Sequence, residues 1–303
     1  MKKAWLYAFI ALFLWGIHGP AGRFLAVSDV DMYFVFSIRL WIGTLVFLFF
    51  LLFKKVRIRS LLIARDWKRV FLVSSIGLIA NTIVFHMTLN YLPGTFVMIL
   101  ENLAPLFVMT ATLIFYKIKP RLSEMLALFI SFLGIILIIL GKNSFPELTS
   151  GYYFGIFLGI LTGITFGAYI FFSADILKNF KNDQTSVVKF QFQIMIIAAI
   201  VCTPFMLTSK SLPNTPLQWF WVLEMGIFQS GFAYLLWSFA LVYIKANTAS
   251  ILFLLTILFT TINEILFLGL RLNAYLISGA LLICLAGYWI TVSFLSSFKK
   301  KTV

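Results

Sequence analysis

Six ionisable side chains interrupt otherwise apolar stretches of this 303-residue chain. They are His18, Arg39, His86, Glu101, Glu224 and Glu264. A charged group taken out of water needs a hydrogen-bonding partner, a counter-charge or a wet cavity. Carboxylate, imidazole and guanidinium groups bind the charged parts of small solutes, and carboxylate and imidazole groups can also move protons. The side chains therefore point to solute binding or proton transfer in an apolar setting.

Glu101 is the strongest candidate for this chemistry. It stands four residues before Pro105, and a proline removes the backbone hydrogen bond that the Glu101 carbonyl would accept in a continuous helix. A carboxylate beside such a break can hold an amine or carry a proton. The alternatives are an ion pair with Arg39 or a hydrogen bond to His86 that fixes helix packing, and extension of the carboxylate to the membrane interface.

Helical spacing places further polar and aromatic residues on shared faces. Thr82 and His86 stand four residues apart, as do Tyr234 and Ser238. The predicted substrate-binding residues are Trp15, His18, Asn81, Thr82, His86, Glu101, Asn102, Tyr169, Tyr234, Trp237 and Ser238. An aromatic box of this kind would suit a cation through cation–π attraction.

The two histidines allow more than one interpretation. Neutral, hydrogen-bonded interior rings are one, and a proton relay is the other, with Glu101 and His86 as the proton-coupling candidates. No metal site is predicted, because nothing in the sequence fixes the spacing of two histidines and a glutamate. Neither a phosphate-binding loop nor an HExxH pattern is present, so no cofactor is predicted.

The composition identifies the surroundings of these residues as lipid. Hydrophobic residues make up 62% of the chain and charged residues 11%, and the mean hydropathy is +1.02. A soluble domain has about a quarter charged residues. The two cysteines, Cys202 and Cys284, lie within apolar runs and give no disulfide framework. An all-α integral membrane protein is predicted.

About 20 apolar residues cross the hydrocarbon core as a helix. Charge clusters and Pro, Gly and Asn residues divide the chain into ten such spans. The predicted spans are 4–26, 32–53, 70–91, 94–116, 122–141, 152–174, 185–208, 217–242, 246–269 and 273–295.

The basic residues predict the orientation. With the N-terminus inside, cytoplasmic segments hold 18 Lys and Arg residues and the opposite side holds 3. This bias places both termini in the cytoplasm. The formal charge of +14 then faces anionic membrane lipid rather than nucleic acid.

The chain also shows an internal duplication. At a shift of 152 residues Tyr91 falls on Tyr243 and Phe107 on Phe259, and near the start Gly16 falls on Gly167 at a shift of 151. Five spans per half reverse the second half in the membrane, as in the inverted repeats of transporters. The predicted repeats are 1–146 and 147–303.

The second repeat opens with a glycine at every fourth position: Gly151, Gly155, Gly159, Gly163 and Gly167. This spacing is typical of close helix packing or of a sliding surface.

Several segments in this order resemble the drug/metabolite transporter superfamily, and within it the EamA-type ten-helix transporters. They include ALFLWG (11–16), SIRLWIGTLVFLFF (37–50), VFHMTLNYLPGTFVMIL (84–100) and ENLAPLF (101–107). The glutamate that often precedes the last helix of each half in that family is missing here, and Ile257 stands where a second proline would match Pro105. The resemblance implies a basket-like bundle around a central cavity in a bacterial cytoplasmic membrane, but it implies no single substrate.

These observations together predict a secondary active transporter. Its expected substrate is a small organic metabolite, namely an amino acid, an amine or a similar zwitterionic or cationic compound. It would work by alternating access, with proton coupling through Glu101 as a candidate mechanism. An intramembrane lipid-modifying enzyme and a channel or scaffold are the alternatives, and the sequence leaves the oligomeric state open.

Overall fold

The computed structural model describes residues 2–56, 67–142, 151–269 and 271–299. All of the regular secondary structure in these ranges is helical. Lipid offers no hydrogen bonds to a backbone, so a spanning segment must pair its N–H and C=O groups internally, and helices do this. The predicted boundary between the repeats, at residues 146 and 147, and most of the basic segment after the second span lie outside the described residues.

The helices follow the predicted spans, which are numbered here in chain order. The first five spans contain Lys2–Trp15 and His18–Val27; Met32–Phe53; Trp67–Leu72, Val73–Ala80 and Asn81–Thr88; Gly94–Glu101 and Ala104–Tyr116; and Leu122–Lys142. The second five contain Tyr152–Leu177 with the short turn Lys178–Phe180; Gln184–Leu207; Pro216–Glu224, Met225–Ala233 and Tyr234–Leu241; Ala246–Phe253 and Leu255–Leu268; and Ala274–Lys299.

In the described part of the chain, nine helices are long and apolar enough to cross a membrane. The remaining predicted span, the eighth, is helical from Pro216 to Leu241. It is less apolar because it carries Gln218, Glu224 and Gln229, which are all buried within the bundle. The prediction of an all-α membrane protein with about ten spanning helices is confirmed.

Local sequence signals set several helix boundaries. Asp31 caps the second span by accepting a 2.8 Å hydrogen bond from the Tyr33 N–H. Thr215 and Gln218 form a reciprocal capping box at the start of the eighth span. The ninth span ends at Gly269, whose φ of +67° lies in the left-handed region.

Equivalent spans of the two halves are irregular at equivalent positions. The third span is π-helical over Val73–Ala80 and the eighth over Met225–Ala233, so the two segments begin 152 residues apart. The fourth span is interrupted after Glu101 and the ninth after Phe253, again 152 residues apart. The shift that the sequence suggested is therefore present in the backbone as well.

Glycines allow equivalent helices to approach closely. A Cβ at Gly134 in the fifth span would lie 2.7 Å from the Gly279 carbonyl oxygen, and one at Gly279 in the tenth would lie 2.5 Å from that of Gly134. The second and seventh spans are joined by the Ser37 hydroxyl, which donates to the Cys202 carbonyl at 2.8 Å. The bundle is thus held together by contacts between corresponding helices of the two halves.

The glycine series of the sixth span packs against the fourth. A Cβ at Gly159 would clash with the Leu100 side chain, and one at Gly163 would lie 2.7 Å from the Leu100 carbonyl oxygen. Tight packing, one of the two interpretations of this series, thus describes the structure. It brings the sixth span against the interruption that follows Glu101.

The glycine contact between the fifth and tenth spans gives a prediction about stability. Gly279→Ala should destabilise the fold by about 1–3 kcal/mol, because its methyl group would meet backbone that cannot rotate away. Gly287→Ala on the same helix is the matched control, since its methyl group would meet only the tip of Leu255 at 3.3 Å. Thermal unfolding of the purified variants in detergent measures both. Equal melting temperatures would contradict the close contact.

Candidate functional site

A small cavity lies in the middle of the bundle, and both halves contribute to it. Its volume is about 20 Å³, which leaves room for roughly one water molecule. The residues that line this central cavity are Trp15, His18, Arg39, Asn81, Met98, Glu101, Phe166, Tyr234 and Phe253. It holds both a guanidinium and a carboxyl group, surrounded mainly by aromatic rings.

Arg39 enters the cavity from the second span and is only 3% exposed. Its Nε donates to the Ser230 hydroxyl at 3.0 Å, and its Nη1 contacts His18 Nε2 at 2.5 Å. Because a guanidinium only donates hydrogen bonds, His18 Nε2 must accept, so this ring is neutral with its proton on Nδ1. The described partners of Arg39 are therefore a hydroxyl group and a neutral imidazole ring.

Glu101 enters the cavity at the interruption of the fourth span and is 5% exposed. One carboxyl oxygen accepts a 3.1 Å hydrogen bond from the Asn81 amide, which also donates to the Thr162 carbonyl at 3.2 Å. Asn81 therefore connects the third span to Glu101 and to the sixth span. Neither the ion pair with Arg39 nor the hydrogen bond to His86 forms in this state.

Aromatic rings make up most of the remaining wall. Trp15 packs edge-on against Phe166, Tyr234, Trp237 and Phe253, with ring centroids 5.1–6.0 Å apart. Its indole N–H donates to the carbonyl of Gln229 in the π-helical segment of the eighth span at 3.3 Å. These contacts join the first span to the sixth, eighth and ninth.

His86 and Thr82 lie behind the cavity wall rather than on it. His86 Nδ1 donates to the Thr82 carbonyl at 2.7 Å, and its ring centroid is 5.7 Å from that of His18. His86 Nε2 and the Thr82 hydroxyl are buried without a hydrogen-bond partner in the described structure. His86 is thus a buried, hydrogen-bonded ring in this structure, and its assignment to proton coupling stays a prediction.

Three more of the predicted residues form a separate buried group. The hydroxyls of Tyr169 and Ser238 both donate to Gln191 Oε1, at 3.5 and 2.8 Å. Trp237 lies beside them with an indole N–H that has no partner in the described structure. Asn102 faces elsewhere and donates to the Met98 carbonyl at 2.7 Å and to Thr256 at 3.2 Å.

A second, larger cavity of about 440 Å³ opens at one end of the bundle. The floor of this vestibule is apolar and includes Phe171 and Leu241. Its charged lining consists of basic residues and two carboxylates: Lys119, Arg121, Lys178, Lys181, Lys245, Glu124 and Asp175. Along the sixth span it begins five to eight residues from Phe166, which is about 10 Å at the helical rise. Tyr169 and Trp237 occupy the layer between the two cavities.

The opposite end of the bundle is held shut by contacts between the halves. The carboxylate of Asp31 accepts from the backbone N–H of Lys210 at 2.9 Å, and the backbone N–H of Asp31 donates to the Ser211 carbonyl at 3.1 Å. Gln218 donates to the Ser28 carbonyl at 3.1 Å. The structure is therefore closed around the central cavity and at this end, and open at the basic end.

Sequence reasoning identified part of this cavity. Of the predicted binding residues, Trp15, His18, Asn81, Glu101 and Tyr234 line it. The others, Thr82, His86, Asn102, Tyr169, Trp237 and Ser238, are buried nearby and stay predictions for another conformational state.

Four lining residues were absent from that set: Arg39, Met98, Phe166 and Phe253. The internal duplication could have identified two of them. Phe166 corresponds to Trp15 at a shift of 151, and Phe253 corresponds to Glu101 at a shift of 152. The equivalents of two predicted residues thus lie on the same wall.

Comparison with known proteins agrees with this architecture. A crystal structure of another protein superposes with a TM-score of 0.77 at 17% identity, over 96% of this chain and 97% of the other, so the two share a fold. An "Uncharacterized transporter" of Archaeoglobus fulgidus is 25% identical over 262 residues, which cover 85% of this chain and 86% of the relative. A "Biotin transporter" of Escherichia coli strain K12 is 23% identical over 234 residues, or 76% of this chain and 73% of the relative.

The model of one protein family matches the chain twice, over residues 2–140 and 153–292. The two matches account for most of the ten spans. On this ground the chain belongs to the EamA-like transporter family.

Proposed function

We propose that this protein is a secondary active transporter that moves a small organic metabolite by alternating access. The expected substrate is an amino acid, an amine or a related zwitterionic or cationic compound. The observation that carries the proposal is the central cavity, which lies between a closed end and an open vestibule and is lined by helices of both halves. A site in this position is reached from opposite sides when the two halves rock against each other.

The contacts at the two ends support such a motion. At the closed end Asp31 meets Lys210 and Ser211 of the other half. At the open end Thr112 donates to Asn247 Oδ1 at 2.9 Å, again across the halves. Both sets consist of a few hydrogen bonds near the membrane surface, where water can replace each partner. Breaking the contacts of Asp31 would open the closed end, and further contacts of the kind made by Thr112 and Asn247 would close the vestibule.

Glu101 is the residue we assign to proton coupling. It is the carboxyl group in the central cavity, and it stands where the fourth span is interrupted. Its contact with the Asn81 amide can be kept in either protonation state, because a carboxylic acid retains an oxygen that accepts. Losing or gaining a proton would then change the charge of the cavity without dismantling its wall.

The two alternative functions have less support. A lipid-modifying enzyme would need a nucleophile and a base within reach of each other. Glu101 and His18 both line the central cavity, but their hydrogen-bond partners are Asn81 and Arg39 rather than each other. A channel would conduct far faster than a carrier, and the 20 Å³ volume of the cavity favours a carrier that closes around its substrate.

Glu101→Gln tests the coupling assignment. The amide keeps an oxygen for Asn81 but cannot exchange a proton, so proton movement that accompanies transport should fall at least about tenfold. The measurement uses proteoliposomes with an entrapped pH-sensitive dye, to which amino acids, polyamines, quaternary amines, nucleosides and biotin are added one at a time. Biotin is included because it is the named substrate of several relatives.

Glu264→Gln is the control for this experiment, since Glu264 lies in the ninth span outside the central cavity. It should leave substrate-induced proton movement close to that of the wild type. If substrate-induced proton movement in Glu101→Gln equalled that of the wild type, Glu101 would not be the coupling residue. Single-channel currents from the wild-type protein would show that it works as a channel and not as a carrier.

The orientation is part of the proposal, with both termini in the cytoplasm of a bacterial cell and the vestibule facing inward. Lys119→Cys at the vestibule and Lys210→Cys at the closed end test it in a background with Cys202→Ser and Cys284→Ser. Both positions are exposed. A membrane-impermeant maleimide should label Lys210→Cys in intact cells and Lys119→Cys only after the membrane is permeabilised. The reverse pattern would invert the topology.

A further inference from the structure

We infer that Arg39 is the anchor for a carboxylate on the transported solute, so that the substrate is a zwitterion or an organic acid rather than a simple amine. The inference rests on the proposed transport function and revises its substrate class: zwitterions are kept, organic acids are added and simple amines are left out. It starts from a charge in the central cavity that lacks a counter-charge in direct contact.

The guanidinium of Arg39 is buried and has only neutral hydrogen-bond partners. Among the described residues, no carboxylate oxygen lies within 4 Å of it, since the ion pairs found there join Asp175 to Arg69 and Lys178. The two buried carboxyl groups of this region bond to amides instead: Glu101 accepts from Asn81, and Glu224 accepts from Gln229 at 2.6 Å. A buried cation is normally paired, because removing one partner of such a pair is strongly destabilising.

The neutral partners of Arg39 hold the guanidinium in place but leave part of its hydrogen-bonding capacity unused. Ser230 and His18 take two of its five N–H groups. Three N–H groups remain without a partner in the described structure, and the side chain lines the cavity. A planar guanidinium with free N–H groups can hold the two oxygens of a carboxylate.

His18 limits which ligands fit. Its Nε2 accepts from Arg39, and its ring stacks on Phe85 at a centroid distance of 4.4 Å. The ring is therefore fixed as a neutral acceptor on one side of the guanidinium. A second cation in this position would lie next to the like charge of Arg39, and this disfavours a simple amine there.

Glu101 and Asn81 supply the complementary part of the site. They line the same cavity as Arg39 but do not contact it, so the cavity presents a donor group and an acceptor group at separate places. A solute with a carboxylate at one end and N–H groups at the other would bridge them. At about 20 Å³ the cavity is too small for such a solute, so binding requires the aromatic wall around Trp15 to move apart.

The test compares acids with their own amides. Purified wild-type protein is screened by thermal shift against biotin and a set of amino acids, each beside its carboxamide, since a ligand of the folded state raises the melting temperature. We expect at least one acid to stabilise the protein and its amide to bind about 10- to 100-fold more weakly, because the amide cannot form the charge-assisted pair. This comparison needs no variant, so it stays informative if a substitution prevents folding.

Arg39→Gln and Arg39→Lys then assign the effect to this residue. Glutamine should abolish the preference for the acid, and lysine should weaken acid binding because it lacks the two-pronged geometry. Arg23→Gln is the matched control: Arg23 lies outside the cavity and donates to the Leu89 carbonyl at 3.3 Å. It should bind acids as the wild type does.

Each result bears on one of the two proposals. Amides that bind as tightly as acids, acids that leave the wild type unshifted, or an Arg39→Gln variant that keeps the acid preference would each overturn the anchor. An acid that binds through Arg39 but is not taken up by proteoliposomes would instead contradict the transport function and leave the anchor standing.

Discussion

The structure depends on one constraint: within the thickness of a membrane, every backbone N–H and C=O group has to find its partner inside the protein. The backbone meets this requirement by forming helices, and it departs from them only where the bundle interior supplies other partners. The interruptions of the first, fourth and ninth spans all occur close to residues that line the central cavity, namely Trp15, Glu101 and Phe253. Irregular backbone and buried charge therefore coincide, and the place where they coincide is where a solute could be exchanged for water.

The duplication explains how one cavity comes to be bounded on several sides. Corresponding helices pack against each other, as the fifth and tenth spans do at Gly134 and Gly279. Corresponding positions also line the cavity, but with different chemistry, since Trp15 faces Phe166 and Glu101 has Phe253 as its counterpart. One half supplies Arg39, His18, Asn81 and Glu101, while the other supplies mainly aromatic rings. The two halves have the same helical scaffold, but most of the polar side chains of the cavity come from the first half.

The sequence predicted the architecture better than the membership of the site. Hydropathy and charge located the spans, because lipid imposes length and composition directly on each segment. Periodicity placed Thr82 and His86 on one face, but of these neighbours it is Asn81, about 100° away around the same helix, that lines the cavity. The partner of Arg39 was equally out of reach of sequence reasoning. It depends on the second span meeting the π-helical segment of the eighth at Ser230, a contact that no local pattern encodes.

The paired π-helical segments also carry information about the history of the protein. Each widened turn accommodates an additional residue, and the two segments begin at Val73 and Met225, at the same place in each half. Two independent insertions at one equivalent site would be a coincidence, whereas a single insertion in a five-helix ancestor would be copied when the gene was doubled. On this view the irregular turn is older than the ten-helix chain.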